Sequence, residues 1–114
     1  MHMITTHVLD TSRGRPADGV PVRLDARDTA GVWREVARGV TDDDGRCRGL
    51  VPDASKLLRG VYRLTFDAGQ YFDRARVPAF YPEVTVVFEI RDPAEHHHVP
   101  LLLSPYGYST YRGS

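Results

Sequence analysis

The amino-acid sequence predicts an all-β fold: an antiparallel eight-stranded β-sandwich with one short helix. Short segments in which apolar and polar residues alternate recur at intervals of roughly 10 residues, a pattern typical of antiparallel sandwiches. Clusters of Gly, Pro and Asp separate these segments and predict the turns between them. One segment alone has the spacing of a helix, so a single short helix is expected.

The strands are predicted from side-chain alternation, because residues two positions apart in a strand share a face. In the first strand the β-branched residues Ile4 and Val8 mark the core side, so His7 points away from the core. The predicted strands span residues 3–9, 20–27, 32–40, 46–51, 61–66, 84–90, 99–104 and 106–112, and residues 10–19 are predicted to form a loop.

A turn of composition Asp-Asp-Asp-Gly at residues 42–45 precedes the fourth predicted strand. Alternation in that strand directs Cys47 into the core and Arg46 outward, and Pro52 is predicted to end it. The three adjacent carboxylates lack the alternate spacing of a calcium-binding loop, so this segment is interpreted as a solvated turn.

The one helix is predicted at residues 67–76, directly after the fifth strand. Asp67 is a suitable N-cap for it. Apolar residues fall at helical spacing at Ala68, Tyr71, Phe72 and Ala75.

The last two strands are predicted to form a hairpin, broken at Ser104-Pro105. Val99, Leu101 and Leu103 share the core face of the first of them, which places His98 on the opposite face. The tyrosines of the following strand are expected to serve packing or an interface.

Composition excludes several classes of protein. The 114 residues are enough for one domain with its own core, predicted to span residues 1–114, and 15 basic residues balance 15 acidic ones, which argues against a nucleic-acid partner. Cys47 is the sole cysteine, so an intrachain disulfide is impossible. No apolar run approaches the roughly 18 residues of a membrane span and no signal-peptide pattern precedes Ile4, so a cytoplasmic protein without a membrane partner is expected.

Three stretches carry a resemblance to a known family. The longest, residues 98–114, reads His-Val-Pro-Leu-Leu-Leu-Ser-Pro-Tyr-Gly-Tyr-Ser-Thr-Tyr-Arg-Gly-Ser; the others are Thr-Thr-His-Val-Leu-Asp at 5–10 and Asp-Gly-Arg-Cys at 44–47. Together they resemble the transthyretin-related 5-hydroxyisourate hydrolases of the transthyretin-like family. Hormone-carrying transthyretins look similar through Ser-Pro-Tyr but lack the terminal Tyr-Arg-Gly-Ser.

The resemblance implies a transthyretin-like sandwich with a short helix after its fifth strand. It also implies a hydrolase that opens 5-hydroxyisourate to 2-oxo-4-hydroxy-4-carboxy-5-ureidoimidazoline in urate degradation, a part of purine metabolism. No cofactor or metal is implied. The implied assembly is a homotetramer, a dimer of dimers, with active sites in a channel where subunits meet.

Site residues follow from the same resemblance. It implies catalytic roles for His7, Arg46, His98 and Ser114, and substrate binding by Arg46, Tyr111, Arg112 and Ser114. Side-chain parity independently places the first three on outward faces. Their chemistry suits the reaction, because an imidazole exchanges protons near neutral pH and a guanidinium stabilises a developing oxyanion.

Four alternatives stay open at this point. The first is a zinc site formed by His7, His96 and His98, although this run is not a fixed metal-ligand signature. The second is a non-catalytic small-molecule carrier of the transthyretin type. The third is a catalytic role for Cys47, whose plainer interpretation is a small buried hydrophobic residue. The fourth is which histidine acts as the base, and the sequence assigns no role to His96 or His97.

Overall fold

Two four-stranded sheets enclose the core of the computed structural model, which describes residues 4–51 and 57–114. The strand order is β2-β1-β7-β8 in one sheet and β4-β3-β5-β6 in the other. The elements are β1 (Ile4–Asp10), β2 (Arg15–Pro16), β3 (Pro21–Arg27), β4 (Trp33–Val40), β5 (Gly60–Phe66), α1 (Ala68–Arg74), β6 (Val84–Ile90), β7 (His97–Ser104) and β8 (Gly107–Thr110). This two-sheet architecture confirms the predicted sandwich with one short helix.

Alternation sorts the side chains as the sequence predicts. On β1, Ile4 and Val8 are buried whereas His7 is only half-buried. On β7 the inward row is Val99, Leu101 and Leu103. These residues pack in one hydrophobic cluster with the inward residues of the second sheet, among them Val22, Leu24, Leu64, Phe66 and Val84. The burial of this row is the main stabilising contribution to the sandwich.

One strand pair departs from the antiparallel prediction. β1 lies parallel to β7, in a register that runs from Ile4 opposite His97 to Asp10 opposite Leu103. Every other strand pair of the described residues is antiparallel. The alternation of side chains has the same period in both directions, so it gave no information on this pairing.

The strand count of eight agrees with the prediction, but one member differs. Residues 46–51 form no strand; Arg46 makes only an isolated bridge with His7, and Gly49 has a positive φ of 82° that interrupts extended backbone. The count still reaches eight because Arg15 and Pro16, in the stretch predicted to be a loop, form the two-residue strand β2. Met3 and Pro52, predicted to begin one strand and to end another, lie outside the described residues.

The helix follows β5 as predicted, and its N-cap is Asp67, whose carboxylate accepts the Gln70 N–H at 3.0 Å. Its Tyr71 is buried in the hydrophobic core and donates its hydroxyl to the buried carboxylate of Asp10 at 2.7 Å. Burial alone would raise the pKa of Asp10, but hydrogen bonds from Ser12 and Tyr71 outweigh it and hold that pKa below its usual value. None of the helices in the described part of the chain has the length and hydropathy that crossing a membrane requires.

The Tyr71→Phe variant should be less stable than the parent by about 1.5–3 kcal/mol, because it removes a hydrogen bond to a buried charge. The native pKa of Asp10 is lowered, so this contribution is present above the usual carboxyl pKa and disappears as pH falls through the native value. Urea unfolding at pH 7 and in acid measures both effects. Tyr106→Phe, which alters an exposed ring, is the control. Equal stability of the two variants at pH 7 would contradict the role of this hydrogen bond.

Candidate active site

Parallel pairing of β1 with β7 brings two imidazoles to a single hydroxyl group. Thr5 lies opposite His98 in the register. Its Oγ1 is 2.8 Å from Nδ1 of His98 and also 2.8 Å from Nε2 of His96. The two imidazole centroids are 6.3 Å apart. His98 is half-buried and His96 is exposed, so this group leads from the interior of the site to solvent.

The turn at residues 42–45 supplies the cation. The Asp42 carboxylate accepts the backbone N–H groups of Asp44 at 2.9 Å and of Arg46 at 3.0 Å. Gly45 has a φ of 77°, and its carbonyl accepts the Val8 N–H at 2.7 Å. A Cβ on Gly45 would lie 2.3 Å from the Val8 carbonyl oxygen, so only glycine allows the turn to sit this close to β1. The turn therefore fixes Arg46 opposite His7.

His7 is held by the same turn. Its Nε2 is 2.8 Å from the carbonyl oxygen of Asp44. A carbonyl oxygen only accepts hydrogen bonds, so Nε2 carries the hydrogen and the lone pair of the neutral ring is on Nδ1. This contact sets both the tautomer and the orientation of the imidazole.

The segment after β8 packs against His98. The Gly113 N–H donates to the His98 carbonyl at 2.9 Å, an isolated bridge beyond the end of the strand. A Cβ on Gly113 would lie 2.5 Å from Cδ2 of the His98 ring and 3.3 Å from Cγ of Pro100. The bare backbone of Gly113 thus lies against the imidazole, and a larger residue would displace the ring.

These groups border a cleft of about 590 Å³. Three of the sequence-predicted catalytic residues line it, namely Arg46, His98 and Ser114. His7 lies beside the cleft through its bridge to Arg46 but does not line it. The remaining lining residues are Ile4, Thr5, Thr6, Cys47, Arg48, Gly49, Leu50, Val51 and His96.

Tyr111 and Arg112, predicted to bind substrate, border a different hollow. It has a volume of about 250 Å³ and lies between β6 and β7. Arg112 forms an exposed ion pair with Glu95 at 3.0 Å. Their substrate-binding role stays a prediction, because these two side chains do not line the cleft that holds Arg46 and His98.

The electrostatics of the cleft favour a neutral imidazole. Burial lowers the pKa of His98 below its ordinary value, and the charges of Arg46, His96 and His7 lower it further. A neutral ring near pH 7 is able to accept a proton. In the described residues Nε2 of His98 makes no hydrogen bond, whereas Nδ1 is occupied by Thr5. Nε2 is therefore the ring nitrogen without a hydrogen-bond partner among the described residues.

The other predicted sites have different geometry. Within the described residues, only Asp42, Asp43 and Asp44 place three possible metal-ligand atoms within 4.8 Å of one another, so His7, His96 and His98 do not converge as a zinc site would require. The Asp42 carboxylate accepts the backbone of its own turn, as expected for a solvated turn. Cys47 is buried, and burial, followed by the charge of Asp42, raises the pKa of its thiol. Both observations fit the plainer interpretation of Cys47 as a small buried hydrophobic residue.

Three residues of the site were missed or left unassigned by the sequence analysis. Thr5 shares the outward parity of His7, but its contact with His98 depends on the register between β1 and β7, which the sequence does not reveal. His96 was left without a role, and Gly113 was named only as part of a motif. His97 lies on the inner face of β7, and its Nδ1 has no hydrogen-bond partner among the described residues.

Comparison with known proteins agrees with this architecture. A family model described as HIUase/Transthyretin family matches residues 4–113. The 5-hydroxyisourate hydrolase of Salmonella dublin is 46% identical over 113 residues, covering 99% of this chain and 82% of that protein. The crystal structure of sea bream transthyretin in complex with thyroxine has a TM-score of 0.90 at 31% identity, covering 96% of this chain and 93% of that one. The structure of Klebsiella pneumoniae 5-hydroxyisourate hydrolase has a TM-score of 0.83 at 38% identity, covering 100% and 94%.

Fold and cleft together define a transthyretin-type sandwich with imidazoles and a guanidinium on the outer face of one sheet. The chain belongs to the HIUase/Transthyretin family, since the family model covers nearly its full length.

The Arg46→Gln variant should raise the pKa of His98 toward its ordinary value of about 6.5, because it removes a positive charge that disfavours the imidazolium. NMR titration of the His98 ring protons measures the shift. Arg48→Gln is the control; Arg48 borders the same cleft, but its guanidinium lies 3.6 Å from the Asp42 carboxylate. An unchanged His98 pKa in Arg46→Gln would contradict the proximity of the two charges.

Proposed function

We propose that the protein hydrolyses 5-hydroxyisourate to 2-oxo-4-hydroxy-4-carboxy-5-ureidoimidazoline, a step of urate degradation. The observation that carries the proposal is a single cleft in which a neutral imidazole, His98, lies beside a fixed guanidinium, Arg46. The matching relatives support the substrate, since those from Salmonella dublin and Mus musculus are both 5-hydroxyisourate hydrolases, each 46% identical to this chain.

The roles of the residues follow from their positions. Nε2 of His98 takes a proton from the attacking water as the new C–O bond forms at the cyclic amide carbonyl. Arg46 stabilises the negative charge that develops on the carbonyl oxygen. The ring nitrogen leaves with a proton returned by the imidazolium, and the carbonyl carbon becomes the carboxylate of the product. General acid–base catalysis of this kind contributes about 10²–10⁴-fold.

His7 and Ser114 complete the proposed catalytic set. The bond from His7 to Asp44 orients its imidazole beside the cleft, on the residue bridged to Arg46, where its Nδ1 is available for proton exchange. Ser114 borders the cleft and offers a hydroxyl to the substrate. Arg46 and Ser114 also bind the polar edges of the substrate, and Tyr111 and Arg112 contribute to binding at the outer margin.

A carrier of the transthyretin type is the second candidate, and the similarity to sea bream transthyretin in complex with thyroxine favours it. The composition of the cleft separates the two functions. A site that only binds a ligand has no need of a base, whereas an imidazole that takes a proton and a guanidinium that stabilises an oxyanion both serve hydrolysis. The enzyme is therefore the stronger candidate.

A coupled assay with urate oxidase tests the function. Urate oxidase produces 5-hydroxyisourate, and the protein should accelerate the loss of its transient absorbance. His98→Gln should lower this rate by about 10²-fold or more while melting at the parent temperature, because it removes the base and little packing. Parent-level activity in His98→Gln would contradict its assigned role. Absence of activity in the parent, with tight binding of thyroxine, would favour the carrier.

We propose in addition that four copies assemble as a dimer of dimers. Strands β6 and β8 are edges of their sheets, and both border the hollow that holds Tyr111. Large apolar side chains are exposed on this side, at Phe80, Val87, Tyr106, Tyr108 and Tyr111. Exposed edges with apolar side chains associate readily. Two edge strands remain, β2 and β4. Of these, β4 carries the charged residues Arg34, Glu35 and Arg38, which discourage pairing.

Light scattering should give four times the 12.8 kDa chain mass at micromolar concentration. Val87→Asp should lower that mass, because it places a charge on the apolar edge of β6. Val36→Asp, a matched change on β4, should leave it unchanged. A monomeric parent would contradict the proposed assembly.

Two further expectations belong to the same proposal. Residues 1–114 are taken to form one transthyretin-like domain, supported by the family match over residues 4–113. The enzyme is taken to act in the cytoplasm, where its one described thiol, Cys47, is compatible with reducing conditions.

A further inference from the structure

The Thr5 hydroxyl is shared between two imidazoles, and nothing in the proposed mechanism uses this arrangement. Its oxygen is 2.8 Å from Nδ1 of His98 and 2.8 Å from Nε2 of His96. Both distances are those of good hydrogen bonds. The three groups therefore form a continuous hydrogen-bonded row from the half-buried His98 to the exposed His96.

The valence of a hydroxyl limits how protons are placed in this row. A hydroxyl has one hydrogen to donate and two lone pairs that accept. If it donates to Nδ1 of His98, that ring carries its hydrogen on Nε2 and is unable to act as a base there. If it donates to Nε2 of His96, it accepts the Nδ1–H of His98, and the Nε2 lone pair of His98 is free. Only the second of these arrangements, with Thr5 donating outward, allows transfer along the row.

We propose that Thr5 and His96 form a proton relay behind His98, with Thr5 as the residue that positions both imidazoles. The relay rests on the proposed hydrolase function. As Nε2 of His98 takes the proton of the attacking water, its Nδ1–H passes to Oγ1 of Thr5, and the Thr5 hydroxyl hydrogen passes to Nε2 of His96. Each group gives one proton and receives one, except that His96 gains the positive charge. Reversal returns the proton for the leaving nitrogen.

The surroundings drive the proton outward. His98 is half-buried, and the charged groups that act on it are those of Arg46, a permanent cation, and His7. His96 is exposed and lies near the ion pair of Glu95 and Arg112. The Arg112 Nη2 is 3.0 Å from the Glu95 carboxylate and 3.4 Å from the His96 carbonyl oxygen. An imidazolium is hydrated at the exposed position and repelled at the buried one, so the charge is more stable on His96.

Kinetics of three variants test the relay. Thr5→Val keeps the branched shape and removes the hydroxyl, and it should lower kcat by about 10-fold to 100-fold with little change in KM. Thr5→Ser keeps the hydroxyl and should stay within about threefold of the parent. Thr29→Val is the matched control, an exposed threonine in the turn between β3 and β4 away from the cleft, and should keep parent kcat.

A variant of His96 separates proton transfer from positioning. His96→Ala should also lose about 10-fold or more in kcat, and free imidazole in the buffer should restore part of it, because the site is open to solvent. Its acidic limb of activity should move to higher pH, since the pKa of His98 rises when the neighbouring charge is removed. A purely structural role for His96 would give the same pH shift but no rescue by imidazole.

Nitrogen NMR of the resting protein provides a readout that does not depend on activity. In the parent, ¹⁵N shifts of the His98 ring should show the hydrogen on Nδ1, and Thr5→Val should lose this preference. Parent kcat in Thr5→Val, no imidazole rescue of His96→Ala, or a His98 hydrogen fixed on Nε2 would each overturn the relay. An inactive parent that still shows the Nδ1–H tautomer would instead overturn the hydrolase function alone.

Discussion

The parallel pairing of β1 with β7 is the constraint on which the cleft depends. Its register sets Thr5 beside His98, and the outward parity of both strands then turns the imidazoles and the hydroxyl to the same face. A slip of one residue would send His98 into the core and Val99 to solvent. The buried row of Val99, Leu101 and Leu103 opposes such a slip, so the hydrophobic core fixes the geometry of the polar site as well as the stability of the fold.

Arg46 serves two electrostatic requirements of the cleft at once. A cation stabilises an oxyanion, and the same cation adds to the effect of burial, which is the larger cause of the lowered pKa of His98. The turn at residues 42–45 holds the backbone of Arg46 in place, because the Asp42 carboxylate accepts the backbone N–H groups of Asp44 and Arg46. Acceptance of the Arg46 and Asp44 N–H groups lowers the pKa of Asp42, so its carboxylate keeps this backbone role at neutral pH.

The sequence predicted whatever depends on local pattern. Alternation identified the inward rows of β1 and β7, and an Asp followed by helical spacing located α1 with its cap. It failed at residues 46–51, where the alternation of a loop packed on the core resembles that of a strand, and at β2, which is too short to show a pattern. The motifs supplied Arg46, His98 and Ser114 for the cleft. Thr5 and His96 could not be assigned, because their role depends on contacts of Thr5 with residues 91 and 93 positions further along the chain.

The separation of Thr5 and His98 along the chain also has a consequence for biosynthesis. The β1–β7 ladder is among the most non-local contacts in the molecule, and closing so long a loop is entropically costly, so it is expected to form late in folding. Until β7 has emerged from the ribosome, β1 has only the two-residue β2 as a neighbour in its sheet. The nascent chain therefore exposes an incomplete sheet edge until β7 has been synthesised, and the contact between Thr5 and His98 forms only after that point.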